Sequence, residues 1–184
     1  MCIRDRYQPA GYYRHLNFPQ RRYSHDTDRQ QYRRGVYVHW QRQYLHPMLK
    51  AFDAPNREEC TASRPKSNTP LAALALLNDP TFVEAARVFA EDILARDIED
   101  DARINYAFHK ATSRQPTSPE TARLRQLLEE QRAHFSSAKE SARQLTAVGL
   151  SKVRTGKSFD TKDLAAWTMV TRAILNLDET ITRN

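Results

Sequence analysis

Two polar residues, each followed directly by proline, constrain the fold of this chain more than any other feature. Thr69 precedes Pro70, and Asp79 precedes Pro80. A short polar side chain can accept a hydrogen bond from the first N–H groups of a helix, and proline suits the first helical position because it needs no N–H partner there. The spacing therefore predicts a helix from about residue 70, a tight turn at 78–80, and a second helix from residue 80.

The residue pattern of these two helices predicts how each is buried. The first carries an uninterrupted apolar run at residues 71–77, so we expect it to be buried on all sides. The second has apolar residues at helical spacing, which predicts one inward face and one outward face. The predicted inward residues are Phe82, Ala86, Phe89 and Ile93, and the predicted outward residues are Glu84, Arg87, Glu91 and Asp92.

Further helix starts are indicated downstream. The acidic cluster at residues 99–101 suits the positive N-terminal end of a helix dipole. Thr117 with Glu120, and Ser137 with Glu140, have the spacing of capping boxes. These patterns predict three more helices after the first two.

The last helix is predicted from about residue 162, after Gly149 ends the preceding one. Five or six helices with short connections, following an irregular N-terminal third, predict an all-α fold in an orthogonal or bundle-like arrangement. The inward residues predicted for the last helix are Leu164, Trp167, Val170, Ile174 and Leu177.

The N-terminal third differs from the rest in charge and aromatic content. Residues 1–66 hold 13 Lys/Arg against 6 Asp/Glu, whereas residues 67–184 hold 16 of each, so the net charge of +7 lies in the first third. Seven of the eight tyrosines lie there as well. Residues 31–45 fit either a strand or a helix, and we expect a helix because no hairpin signal follows them.

This contrast indicates how the chain is organised. Residues 1–6 are interpreted as an artefact or a disordered tail. Residues 7–184 are expected to form one α-helical domain of a larger protein, with a basic irregular portion at 7–66 and a helical portion at 67–184. The chain has 184 residues, 40% of them hydrophobic, which is enough to build a core. It has no run of about 18 apolar residues, so we expect no membrane span.

Sequence motifs for cofactors and metals are missing. Covalent heme attachment needs Cys-x-x-Cys-His, which the chain lacks, so heme is expected only elsewhere in the larger protein. His39 and His46 have no third ligand at helical spacing, which favours surface or partly buried histidines over a zinc site. Cys60 is expected to be a buried structural thiol. We therefore expect no cofactor and no metal in this chain.

Three segments resemble a known family. They are Phe52–Ala86, Tyr32–Trp40 and Ala165–Glu179. Together they resemble the C-terminal domain of unknown function, of the 1553 type, in large planctomycete proteins that also carry a cytochrome c-like domain. Ala72 and Thr180 depart from the family pattern, which has glutamine and an aromatic residue there. The resemblance implies an exported, periplasmic, multi-domain protein from bacteria that degrade complex polysaccharides. Its implied partners are the other domains of the same protein, with carbohydrate as a further candidate.

The polar residues of the central stretch are the candidate functional residues. Asp and Asn beside proline supply turn hydrogen bonds, and arginine bridges carbonyls or carboxylates in such loops. We expect these residues to order an irregular loop against the helical core rather than to catalyse a reaction. The set is Asp53, Asn56, Arg57, Glu58, Arg64 and Asn68.

Three functions are compatible with the sequence. The favoured one is a structural or binding module of a larger exported protein, beside a cytochrome c-like domain. The second is a hydrolase domain acting on polysaccharide, with Asp53, Arg57, Glu58 and Arg64 in its site. Such cleavage needs two carboxylates about 5 to 10 Å apart, a separation that the sequence does not supply. The third is nucleic-acid binding through the basic, tyrosine-rich third, which ranks last because its arginines occur in pairs rather than in a sustained track.

Overall fold

A computed structural model describes residues 6–9, 11–12, 23–40, 45–55, 60–63, 67, 69–153 and 159–181. Within these residues the regular structure is helical and includes no β-strand, which confirms the predicted all-α class. The chain divides into two compact units, Met1–Ala75 and Leu76–Asn184. The α-helices are α1 (Pro47–Ala51), α2 (Pro70–Asn78), α3 (Pro80–Leu94), α4 (Asp100–Thr112), α5 (Ser118–Ser137), α6 (Lys139–Thr146), α7 (Thr161–Leu175) and α8 (Asp178–Ile181).

In the first unit, short 3-10 helices within the described stretch 23–40 precede α1. They span Arg29–Tyr32 and Gly35–Tyr37. The helix predicted for residues 31–45 is wrong in its described part, because the backbone becomes extended at Arg33 and again at Val38. The competing strand is also absent there, since residues 31–40 contain 3-10 turns joined by extended backbone at Arg33 and Arg34, and Val38 forms only an isolated β-bridge.

The two proline-led helix starts are confirmed. α2 ends at Asn78 and α3 begins at Pro80. The Asp79 carboxylate accepts a hydrogen bond from the Thr81 N–H at 2.8 Å. The contact spans only two residues, so the sequence alone was enough to predict it.

The prediction that α2 is buried on all sides is wrong. Leu71 and Leu74 are 58% and 54% exposed, and Ala72 is the buried residue of this helix. An apolar composition permits burial of every face, but burial also requires neighbouring elements on every side, and that depends on the tertiary arrangement.

α7 is the central helix of the second unit. It packs against α3, α4, α5, α6 and α8. Alanines in its first turns leave room for neighbouring helices to approach, and Trp167 fills the centre of the core at 0% exposure. The inward stripe predicted for this helix is confirmed except at Leu177, which lies beyond its end and is 37% exposed. The buried residues of α7 are Leu164, Ala165, Ala166, Trp167, Thr168, Val170, Thr171 and Ile174.

One of the two predicted capping boxes is present. The Thr117 N–H donates to Glu120 Oε2 at 2.7 Å, at the start of α5. The box predicted at Ser137 is wrong, because α5 continues through this position and the Ser137 hydroxyl donates to the His134 carbonyl at 2.8 Å. Ala138 instead precedes α6 and supplies no side-chain cap.

The membrane prediction concerns helix length and hydropathy. Among the helices that the structure describes, none is both long and apolar enough to cross a bilayer.

Candidate functional site

Of the predicted site residues, the structure describes Asp53. It follows α1 with a φ of 55°, in the left-handed region. Its carboxylate accepts hydrogen bonds from the Ser67 N–H at 2.8 Å and from the Ser67 hydroxyl at 2.6 and 2.7 Å. These contacts join Asp53 to Ser67, 14 residues further along the chain. The ordering role expected of the whole set stays a prediction, and its other members, Asn56, Arg57, Glu58, Arg64 and Asn68, lie outside the described residues.

The thiol prediction is wrong. Cys60 is a free and exposed cysteine. Cys60 lies outside the helices, so it is not on a helix face that packing could bury. In the described part of the chain, no group of three or more His, Cys, Asp and Glu side chains is arranged to hold a metal ion.

The face of α3 that was predicted to be outward contains a buried charged cluster. Glu84, Arg87 and Glu91 are 4%, 0% and 1% exposed. They lie three and four residues apart, so they share one face of α3. The spacing itself was visible in the sequence, but it is equally typical of a solvated helix face. The turn at residues 149–151 contacts two of these charges, Glu84 and Arg87.

Each charge in this cluster has a structural partner in that turn or on α3. Glu84 accepts hydrogen bonds from the N–H groups of Leu150, at 3.0 Å, and Ser151, at 2.7 Å. Arg87 pairs with Glu91 and donates to the Ser151 carbonyl at 2.6 Å and to its hydroxyl at 2.8 Å. Buried charges that are paired and hydrogen-bonded in this way hold two segments together, and removing one partner is costly.

An open, mainly apolar cavity lies elsewhere in the second unit, among α4, α5 and α7. Its volume is about 270 Å³. Phe108 comes from the buried stripe of α4, Leu124 from α5 and Ile174 from α7, so three helices position its walls. Its apolar lining is Phe108, Pro119, Leu124, Ala173, Ile174 and Leu177. We name it the α4/α5/α7 cavity.

An arginine clamp lies beside this cavity. The guanidinium of Arg114 donates to both oxygens of Glu120, at 2.7 and 2.9 Å, and to both oxygens of Glu179, at 2.8 and 2.9 Å. It also lies over the ring of Phe108, with 4.7 Å to the centroid. Arg114 therefore links the end of α4 to the starts of α5 and α8.

The clamp determines the charge state of its carboxylates. The hydrogen bonds from Arg114, followed by that from the Thr117 N–H, lower the pKa of Glu120 to about 2. Hydrogen bonding to Arg114 also lowers the pKa of Glu179 and, through Glu120 first and Glu179 second, raises the pKa of Arg114. All three groups are charged at neutral pH.

Arg123 is a second cation near the α4/α5/α7 cavity and, unlike Arg114, is one of its lining residues. It lies in the lining, its residue is exposed, and its guanidinium makes one long hydrogen bond to Gln126 Oε1 at 3.4 Å among the described residues. Unlike Arg114, it carries no ion pair with a described carboxylate. Its charge remains available to a bound molecule.

The family model of PSD1, described as a protein of unknown function (DUF1553), matches residues 5–128. The chain belongs to this family. The resemblance predicted from the three sequence segments is therefore confirmed at the level of the DUF1553 domain. Comparison with curated proteins and comparison with solved structures found no match.

In this PSD1-family chain, the matched region ends within α5. The α4 and α5 walls of the cavity fall inside residues 5–128, whereas its α7 wall lies beyond them. The described geometry supports noncovalent binding of an apolar group at this cavity, because most of its lining is hydrocarbon and its acidic group is already paired.

A second cavity, of about 560 Å³, is polar and lies at the N-terminal end of α4. Arg132 pairs with Asp100 and donates to Asp163 Oδ1 at 2.6 Å. The hydrogen bond from Arg132 is the main cause that lowers the pKa of Asp100. These charges compensate one another, so the contacts join α4, α5 and α7 rather than define a ligand.

Proposed function

We propose that this chain is a structural or ligand-binding module of a larger exported protein, and not an enzyme domain. The family to which it belongs carries no assigned chemistry, so function has to be argued from the site. The observation that supports binding is the α4/α5/α7 cavity, an open and mainly apolar space held by three helices. Such a cavity with a few polar groups at its edge is the usual form of a small-molecule site.

The acidic group at this cavity favours binding over acid–base catalysis. A general acid or base works best when its pKa lies near the operating pH. The pKa of Glu120 is about 2, because Arg114 and Thr117 stabilise its ionised form. At neutral pH it would hold no proton to donate, and its lone pairs are already engaged. Glu120 therefore shapes the cavity through Arg114.

The buried charges of α3 support the same interpretation. Glu84 and Arg87 both bond to Ser151, and these contacts fasten the 149–151 turn to the helix. A catalytic group must meet a substrate, whereas these two are covered by the chain itself. Their contribution is to the stability of the folded state.

The wider context of the module is proposed from the sequence resemblance. We take the larger protein to be of the planctomycete type, exported or periplasmic, and to carry a cytochrome c-like domain. Its other domains would be the main partners of this chain, and carbohydrate would be a further one. Polysaccharide hydrolysis is the principal alternative.

The full open reading frame tests this context. We expect a signal peptide and a Cys-x-x-Cys-His motif upstream of this chain, and we expect the full-length protein, but not this chain alone, to stain for heme after denaturing electrophoresis. A reading frame that lacks both features would contradict the proposed context. Heme staining of the isolated chain would contradict the expectation that heme lies elsewhere.

A cavity-filling variant tests the binding role. Toluene, added during an NMR titration, should shift amide signals of α4, α5 and α7 in the wild-type chain. Ala173→Leu adds three carbons inside the cavity and should abolish these shifts. Ala102→Leu makes the same change on the exposed side of α4 and should leave them intact. Absence of toluene shifts in the wild type, or hydrolysis of a polysaccharide by the chain, would contradict the proposal.

A further inference from the structure

We infer that the α4/α5/α7 cavity takes a small apolar molecule that carries one carboxylate, with the hydrocarbon in the cavity and the carboxylate on Arg123. This inference rests on the proposed binding function and specifies its ligand class. Two observations carry it: the size and lining of the cavity, and the difference between Arg123, a lining residue without an ion pair to a described carboxylate, and Arg114 beside the cavity, which is paired with two carboxylates.

Size and lining specify the apolar part. A cavity of about 150 Å³ lined by Leu, Ile and Phe is large enough to bind benzene. The volume here is about 270 Å³, so a six-membered ring leaves space for a few more carbon atoms. Phe108 supplies an aromatic face, and Leu124 and Ile174 supply branched aliphatic surface. The ligand is therefore ring-sized, with a short aliphatic extension.

The hydrogen-bond partners of the charged groups specify the polar part of the ligand. Arg114 already binds two carboxylates through paired hydrogen bonds and lies over Phe108. Glu120 accepts hydrogen bonds from Arg114 and from Thr117, so its charge is compensated. Arg123 has no such partner among the described residues beyond its 3.4 Å contact with Gln126. A ligand at the cavity therefore meets one uncompensated positive charge.

A carboxylate is the group that matches this charge. Guanidinium groups bind carboxylates through two parallel hydrogen bonds, and such pairs are stronger than neutral ones. A phosphate would also complement the charge, but its larger hydration shell and second charge are less compatible with the nearby carboxylates Glu120 and Glu179. The apolar lining and the charge of Arg123 together favour an arylalkyl or branched alkyl carboxylic acid in its ionised form.

Paired probes test the inference on the whole chain. The first is 3-phenylpropionate, and the second is its neutral amide, 3-phenylpropionamide, which has almost the same shape. We expect titration followed by NMR to show tighter binding of the acid by about two- to fivefold, the range expected for one exposed charge pair. Raising the salt concentration should reduce this preference.

Variants separate the two parts of the site. Arg123→Gln should remove the preference for the acid while leaving amide binding unchanged. Arg125→Gln changes an exposed arginine of the same helix outside the lining and should keep the preference. Equal binding of acid and amide by the wild type would overturn the carboxylate assignment and leave the apolar binding function standing. Failure of both probes to bind, together with failure of toluene, would overturn the ligand class and the binding function together.

Discussion

Glu84 occupies the space that a side chain on Gly149 would fill. A Cβ added to Gly149 would lie 2.4 Å from Cδ and from Oε2 of Glu84. Gly149 also has a φ of 103°, which L-residues with a side chain rarely adopt. The turn after α6 can therefore place the N–H groups of Leu150 and Ser151 against the buried Glu84 carboxylate only if residue 149 is glycine.

Gly149→Ala tests this close fit. We expect a loss of about 2 kcal/mol in unfolding free energy, from backbone strain and the steric clash together. In a Glu84→Ala background the clash is removed, so the same substitution should cost about 1 kcal/mol. Urea unfolding of the four proteins in this double-mutant cycle measures the difference. Equal costs in both backgrounds would show that Glu84 does not contact the turn.

Arg87→Met tests the buried pair on α3. Removing the guanidinium leaves Glu91 without that partner and Ser151 without two hydrogen bonds, so we expect a loss of about 3 to 5 kcal/mol. Arg125→Met is the matched control, because Arg125 pairs with Asp101 on the surface, where both side chains are about half exposed. Its expected cost is about 0 to 1 kcal/mol. Similar losses for the two variants, measured by chemical denaturation, would refute the structural role of the buried pair.

Asp79→Ala tests the cap of α3. The lost hydrogen bond to the Thr81 N–H should lower stability by about 1 kcal/mol. Asp79→Asn keeps an acceptor at the same position and should lose much less. Thermal unfolding distinguishes the two variants, and a full loss in Asp79→Asn would assign the effect to charge instead of the cap.

The arginine clamp predicts a pH dependence. Glu120 has a pKa of about 2 in the folded chain, against an ordinary value of 4.5. Because the folded pKa is the lower one, the clamp contributes stability above about pH 4.5, and this contribution is lost as the pH falls towards 2. Glu120→Gln should therefore flatten the stability profile between these values. Glu129→Gln, an exposed change on the same helix, should retain the wild-type profile.

Arg57→Ala and Glu58→Gln test the ordering role of the central stretch. We expect both to lower the melting temperature, because these residues are predicted to hold the loop that Asp53 and Ser67 close. A catalytic residue would instead contribute mainly to the transition state, so its loss would leave melting unchanged and remove an activity. Unchanged melting in both variants would favour the hydrolase alternative.

Helix starts could be predicted from the sequence because capping is local. Asp79 accepts a hydrogen bond from an N–H group two residues away, and the Thr117 N–H donates to Glu120 three residues away. Helical periodicity likewise predicted the buried stripe of α7, since a stripe depends only on the spacing within one helix. The capping box predicted at Ser137 was wrong because a local pattern does not specify where the preceding helix ends, and α5 continues through Ser137.

The candidate sites depended on contacts between distant parts of the chain, which spacing does not specify. Glu84, Arg87 and Glu91 fit a solvated face as well as a buried one, and the partner that buries Glu84 lies 66 residues further along. The α4/α5/α7 cavity brings Phe108 and Ile174, from separate helices, into one lining. The residues set the local geometry of each helix, and packing against its neighbours then decided which charges were covered and where space remained.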